Sequence, residues 1–107
     1  DVPAFTPGAA QMVILFLDDA SGQPVEGVTI GALAGAKYGF DIGGQGAYTA
    51  NPQQTGPLGT AVLFNVIVPA VSTIQLKYSF NGNPQPAIDL PAAPDTATYA
   101  VLPVSTQ

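Results

Sequence analysis

The chain has 107 residues, no cysteine, no histidine and a formal net charge of −5, with seven Asp and Glu against only two lysines, Lys37 and Lys77. Those absences exclude disulfides, zinc–thiolate sites, thiol nucleophiles and Ser-His-Asp chemistry, and leave no side chain whose ordinary pKa lies near neutrality. Two cations are too few to release counterions from phosphates, so nucleic acid is not an expected partner. With 8% charged and 47% apolar residues, the surface is expected to be covered in part by another domain or subunit, or kept polar by Ser, Thr, Asn and Gln.

In chain order, residues 1–10 (DVPAFTPGAA) carry no strong pattern and read as an extended N-terminal arm or linker, leaving residues 11–107 as a single domain. The start at Asp1, with no basic-then-apolar leader, fits a mature, processed chain. Twelve Gly and eleven Pro are spread along the sequence and interrupt every helical periodicity, so strands are expected throughout. They fall near 11–18, 27–33, 37–42, 47–50, 60–68, 73–80, 86–90 and 97–102, between Gly, Pro and Asn punctuation.

The first strand holds MVILFL, too short for a bilayer crossing, which takes about 20 apolar residues, so membrane insertion is not expected. KYGFDI alternates with Tyr38, Phe40 and Ile42 inward and Lys37, Gly39 and Asp41 outward, and Gly43-Gly44 turns it back as a hairpin. IQLKYSF puts Ile74, Leu76, Tyr78 and Phe80 on one face and Gln75, Lys77 and Ser79 on the other. MVILFL and AVLFNVIV break the alternation and are apolar on both faces, as sheet centres whose outer face receives another element, a loop or a barrel closure. Val13, Leu15, Val62 and Phe64, with Phe5 of the arm, are therefore the candidate interaction residues. Prolines 84, 86, 91, 94 and 103 confine the C-terminal strands to edges or leave them short.

Between the first two strands, DDASGQPVEGVTI (residues 18–30) places an Asp-x-x-Gly turn before Pro24-Val25-x-Gly27-Val28-x-Ile30. Asp accepts turn amides, Gly22 tolerates positive φ and Pro24 keeps the chain extended. This stretch resembles the start of carboxypeptidase-regulatory-like domains. Thr55-Gly56-Pro57-Leu58-Gly59-Thr60 leading into Ala61–Val66 is similar to that family's Thr-Asp-x-x-Gly step into its central strand, and Thr73–Phe80 to the strand bearing its Tyr. The resemblance covers roughly residues 11–80. Two departures stand out: Gly56 in place of the usual Asp, and an added hairpin over residues 36–54. What the resemblance implies is a seven- to eight-stranded antiparallel Greek-key β-sandwich, transthyretin-like or Ig-like. It further implies a non-catalytic module of secreted or cell-surface proteins, with no cofactor.

Each candidate site has a plainer reading beside it. Asp18, Asp19, Glu26 and Asp41 are oxygen donors for calcium, the one cofactor to consider, or else solvated turn carboxylates. Asp18, Asp41 and Asp89 offer carboxylates for glycoside hydrolysis, but there is no Trp and little chain for a sugar cleft. Tyr38, Tyr48, Tyr78 and Tyr99 suit sugar stacking or, within alternating strands, the core. A Lys-to-Asn isopeptide bond lacks its Asn on the last strand. The arm, with Val2, Ala4, Phe5 and Thr6, is either a donor strand for a neighbouring subunit or a linker. An enzyme like the transthyretin-related hydrolases would need His and Arg, and neither is present. The expectation is a structural or adhesive module of a prokaryotic surface protein, its partners neighbouring domains or identical subunits in a homo-oligomer, fibre or array. The alternative is a calcium- or carbohydrate-binding accessory domain of a secreted hydrolase.

Overall fold

The computed structural model of the chain describes residues 7–31, 37–41, 48–49, 54–68 and 72–106, and none of these is helical. Ten strands follow in order: β1 (Ala9–Asp18), β2 (Val28–Ile30), β3 (Lys37–Asp41), β4 (Tyr48–Thr49), β5 (Thr60–Ile67), β6 (Ser72–Leu76), β7 (Tyr78–Phe80), β8 (Asn83–Pro84), β9 (Ile88–Ala92) and β10 (Ala97–Val104). They form a five-stranded sheet in the order β10-β1-β5-β3-β4, a three-stranded sheet β2-β7-β8 and the pair β6-β9. The all-β expectation holds. The expected antiparallel pairing throughout does not, because β1 runs antiparallel to β5 but parallel to β10, from Gln11↔Ala97 to Asp18↔Val104. Side-chain alternation reports which face of a strand is buried and carries no information on the direction of its neighbour.

β1 begins at Ala9, two residues before its expected start, and Ala9 and Ala10 pair with Ile67 and Val66; residues 1–6, with Phe5, lie outside the described residues. Met12, Ile14 and Phe16 of β1 are fully buried. They join Phe40 of β3, Ala61 and Leu63 of β5 and Leu102 and Val104 of β10 in one apolar cluster with Val28, Leu76, Tyr78, Leu90 and Ala92 from the smaller sheets. Burial of a side chain of that size stabilises by roughly 1.5–3 kcal/mol. The Phe16 and Tyr78 rings meet at 5.1 Å, tilted by 48°, and the Tyr78 hydroxyl donates to the Pro103 carbonyl at 2.7 Å. Burial pushes that hydroxyl above its ordinary 10.0.

β5 is buried on both faces, as its unbroken apolar run implied: Ala61 and Leu63 inside, Val62 and Phe64 outside. It carries a bulge, since Ala10 to Met12 on β1 opposes Val66 to Leu63 on β5, and Asn65 takes the left-handed conformation at φ 62°. Gln11 closes the gap: its Oε1 accepts the Asn65 N–H at 2.9 Å and its Nε2 donates to Asn65 Oδ1 at 3.3 Å.

The predicted strand 73–80 keeps its face pattern, with Leu76 and Tyr78 buried and Gln75 and Lys77 exposed, but its backbone partners change at Lys77. β6 pairs with β9, whereas β7 pairs with β2 and β8, and Gly31 donates to the Lys77 carbonyl at 2.8 Å where the partners change. Asn81 (φ 50°) and Gly82 (φ 78°) join β7 to β8, both at positive φ as a two-residue hairpin turn of matching twist requires. Pro84 then ends β8, and the expected strand 86–90 is found at 88–92.

Gly59 sits at φ +65°, and a Cβ there would lie 2.7 Å from the Phe16 carbonyl oxygen and 2.8 Å from the Val25 nitrogen. Gly22 has a similar φ of +74° with nothing within 4 Å. Gly22→Ala should therefore cost only the left-handed penalty, roughly 1–2 kcal/mol. Gly59→Ala should lower the urea midpoint clearly further, because backbone must also move; equal losses for the two variants would contradict the contact.

Candidate functional site

The turn after β1 is closed by its own residues. Gly22 donates to the Asp18 carbonyl and Asp18 N–H to the Gln23 carbonyl, both at 2.8 Å, and Pro24 bridges back to Leu17. The Asp18 carboxylate accepts the Ser21 hydroxyl at 2.7 Å, the Ser21 and Ala20 amides at 3.3 and 3.5 Å, and the Thr106 hydroxyl at 3.1 Å. The Ser21 hydroxyl, with Thr106 and the turn amides, holds this carboxyl below its ordinary value of 3.8 against the opposing pull of desolvation. Asp19 and Glu26 are exposed.

Asp41 departs from its outward, solvated assignment, for it is buried at 3% exposure. It does occupy the outward phase of β3, but the segment 54–60 folds over it. One carboxylate oxygen accepts the amides of Gly56 at 3.0 Å and Thr60 at 2.9 Å, and the other accepts that of Leu58 at 2.8 Å. A Cβ at Gly56 would strike the Asp41 carbonyl and lie 2.7 Å from Oδ2, so a residue with a side chain does not fit there. Thr55, the neighbouring buried polar residue, donates its hydroxyl to the Val25 carbonyl at 2.8 Å and accepts the Val28 amide at 3.0 Å. Among the described residues no buried side-chain polar atom lacks a partner. None of their Asp and Glu side chains gather in threes in a way that could hold a metal ion. The four calcium candidates are thus spread over a turn, an exposed loop and a buried anchor.

The outer face of the five-stranded sheet is built by register. Val13 lies between Tyr99 and Val62, and Leu15 between Val101 and Thr60. Of the candidate interaction residues, Val62 and Phe64 are buried and Val13 and Leu15 half-buried. Large apolar side chains are exposed one strand further out, on β10, where Tyr99 is 77% and Val101 62% exposed, and also at Ile67 near the end of β5 and at Leu58 in the turn before it. Tyr99 accordingly leaves the core expected of it, whereas Tyr78 is buried and Tyr38 is half-buried, stacked on Phe40 at 6.3 Å. Both phases of ATYAVLPV carry apolar residues, so alternation alone did not select Tyr99 and Val101. Lys37 and Lys77 are exposed, as their outward phases required, and Asp89 is exposed on β9.

β10 closes one side of its sheet. The Thr96 and Val104 carbonyls accept from Gln11 and Asp19 at 2.9 Å, which gives the even-numbered residues of β10 to β1. The main-chain groups of Ala97, Tyr99 and Val101 then point to the far edge, with which no other described strand pairs, and Pro103, which has no N–H and whose carbonyl accepts the Tyr78 hydroxyl, falls in the same phase. β10 contains no charged residue.

No family model, no curated protein and no solved structure matches the chain.

Two measurements test these anchors. Asp41→Asn should cost about 2–4 kcal/mol in urea denaturation, since amides that met a charged acceptor lose it; a loss below a few tenths would show that the 54–60 segment holds itself. For Asp18, the folded pKa lies below the unfolded one, so its contribution is present above 3.8 and lost as the pH falls through the folded value. The gap in melting temperature between wild type and Asp18→Asn should be present at neutral pH and close below pH 3.8.

Proposed function

We propose that the chain is a transthyretin-like or Ig-like β-sandwich that serves as a non-catalytic structural or adhesive module of a prokaryotic surface protein, touching neighbouring domains or identical subunits. The observation that carries this reading is the open β10 edge with Tyr99 and Val101 exposed beside Val13 and Leu15. The sandwich is supported by the smaller sheets, which share one apolar cluster with the inner face of the five-stranded sheet. The surface location is supported by the resemblance of residues 18–30 and 55–66.

An exposed strand edge invites another extended strand, and proteins that keep such edges to themselves place charges or bulges there. β10 has neither, apart from Pro103 near its end. A large exposed aromatic two residues from a β-branched side chain gives a neighbour an apolar hold on the same face. The reading predicts concentration-dependent association of the purified chain in sedimentation velocity, abolished by Tyr99→Glu with Val101→Glu while the circular dichroism stays unchanged. A wild type that remains monomeric at its solubility limit, or a double variant that associates equally well, would overturn it.

A further inference from the structure

The described chain enters at Pro7–Gly8 and leaves at Ser105–Thr106, and between these points β1 and β10 lie side by side and parallel over eight register pairs, Gln11↔Ala97 to Asp18↔Val104. Parallel pairing puts the start of β1 beside the start of β10, and the end of β1 beside the end of β10. The incoming chain is thus at one end of the ladder and the outgoing chain at the other. We infer that this strand pair is a shear clamp, and that the domain is a load-bearing link resisting tension applied through the chain on either side of it.

The mechanics follow from direction. Tension pulls β1 toward its N-terminal end and β10 toward its C-terminal end, so the two strands are drawn past one another along their length. Every rung of the ladder is then loaded at once, and none can open without the others. Had β10 been antiparallel to β1, the chain would enter and leave at the same end of the pair, and the same tension would part the rungs one after another. Forced unfolding is governed by the barrier to unfolding and not by equilibrium stability, so this difference of direction acts directly on the force the domain withstands.

Both ends of the ladder are bolted. At the entering end the Gly8 amide donates to Asp95 Oδ1 at 2.7 Å, and the Asp95 amide donates to the Ala9 carbonyl at 2.9 Å. At the leaving end the Asp19 amide donates to the Val104 carbonyl at 2.9 Å, and the Thr106 hydroxyl donates to Asp18 Oδ1 at 3.1 Å. Between them, Met12, Ile14, Phe16 and Val104 are fully buried and Leu102 nearly so, which keeps water from the rungs on the inner face. β1 is in turn held on its other edge by β5, so the strand that takes the load is the second in a five-stranded sheet.

The inference deepens the structural reading above by naming the load, and it is tested separately from association. The chain has no cysteine, so pairs of introduced thiols define the pulling points in single-molecule force spectroscopy of the full chain. Pro7→Cys with Thr106→Cys loads the ladder in shear; Ala20→Cys with Thr106→Cys, exposed residues at one end of it, peels it. Urea denaturation of the two double variants checks that their equilibrium stabilities match. The expected result is a rupture force several-fold higher in shear than in peeling. Equal forces in the two geometries would overturn the clamp and leave the association experiment on Tyr99 and Val101 untouched. A wild type that stays monomeric at its solubility limit, with the shear-to-peel ratio as expected, would overturn the adhesive reading alone.

Discussion

Everything in this fold depends on how β1 divides its main chain. Its odd-numbered groups serve β10, as the Gln11 and Asp19 amides show, and its even-numbered groups serve β5 and the loops, with the Phe16 amide on Gly59 at 2.8 Å and the Asp18 amide on Gln23 at 2.8 Å. The same two-residue period sends Met12, Ile14 and Phe16 into the core. One strand therefore ties the last strand of the chain, its central strand and its first turn to a single apolar cluster. A shift of one residue in β1 would undo all of these together.

The second organiser is the segment 54–60, whose short turn is anchored from two sides. Asp41 takes three of its amides, and Thr55 joins it to Val25 and Val28. The absence of a side chain at Gly56 and the presence of a carboxylate at Asp41 are one arrangement. The carboxylate reaches the turn from β3, and its approach leaves no room for a Cβ at Gly56.

Much of the strand content was legible because glycine, proline and asparagine punctuate it and alternation marks its faces: IQLKYSF turns the residues its pattern selects toward the core, Leu76 and Tyr78 buried and Ile74 and Phe80 half-buried, and the proline-bearing β10 and β8 lie at edges. Three features were hidden for definite reasons. The phase of Asp41 was right, yet its burial depends on a loop that no local pattern reports. The exchange of partners at Lys77 leaves the side-chain pattern of 73–80 intact, so the break between β6 and β7 has no trace in it. The parallel direction of β10, and the choice of Tyr99 and Val101 as its outer residues, could not be read from a run apolar in both phases. One missed element did have a signal: Asn81-Gly82 between two extended runs is a strong mark of a tight hairpin, and it would have located β8.

The pairing of the first strand with the last also shapes how the chain is made. β10 begins at Ala97, roughly 80 residues after β1 ends at Asp18, and at about 5–20 residues per second a ribosome takes some seconds to deliver it. Throughout that interval one edge of an apolar strand stands unpaired in the nascent protein. Until it arrives, another newly made copy is the competing source of a closing partner, which makes strand exchange between molecules the alternative to native closure.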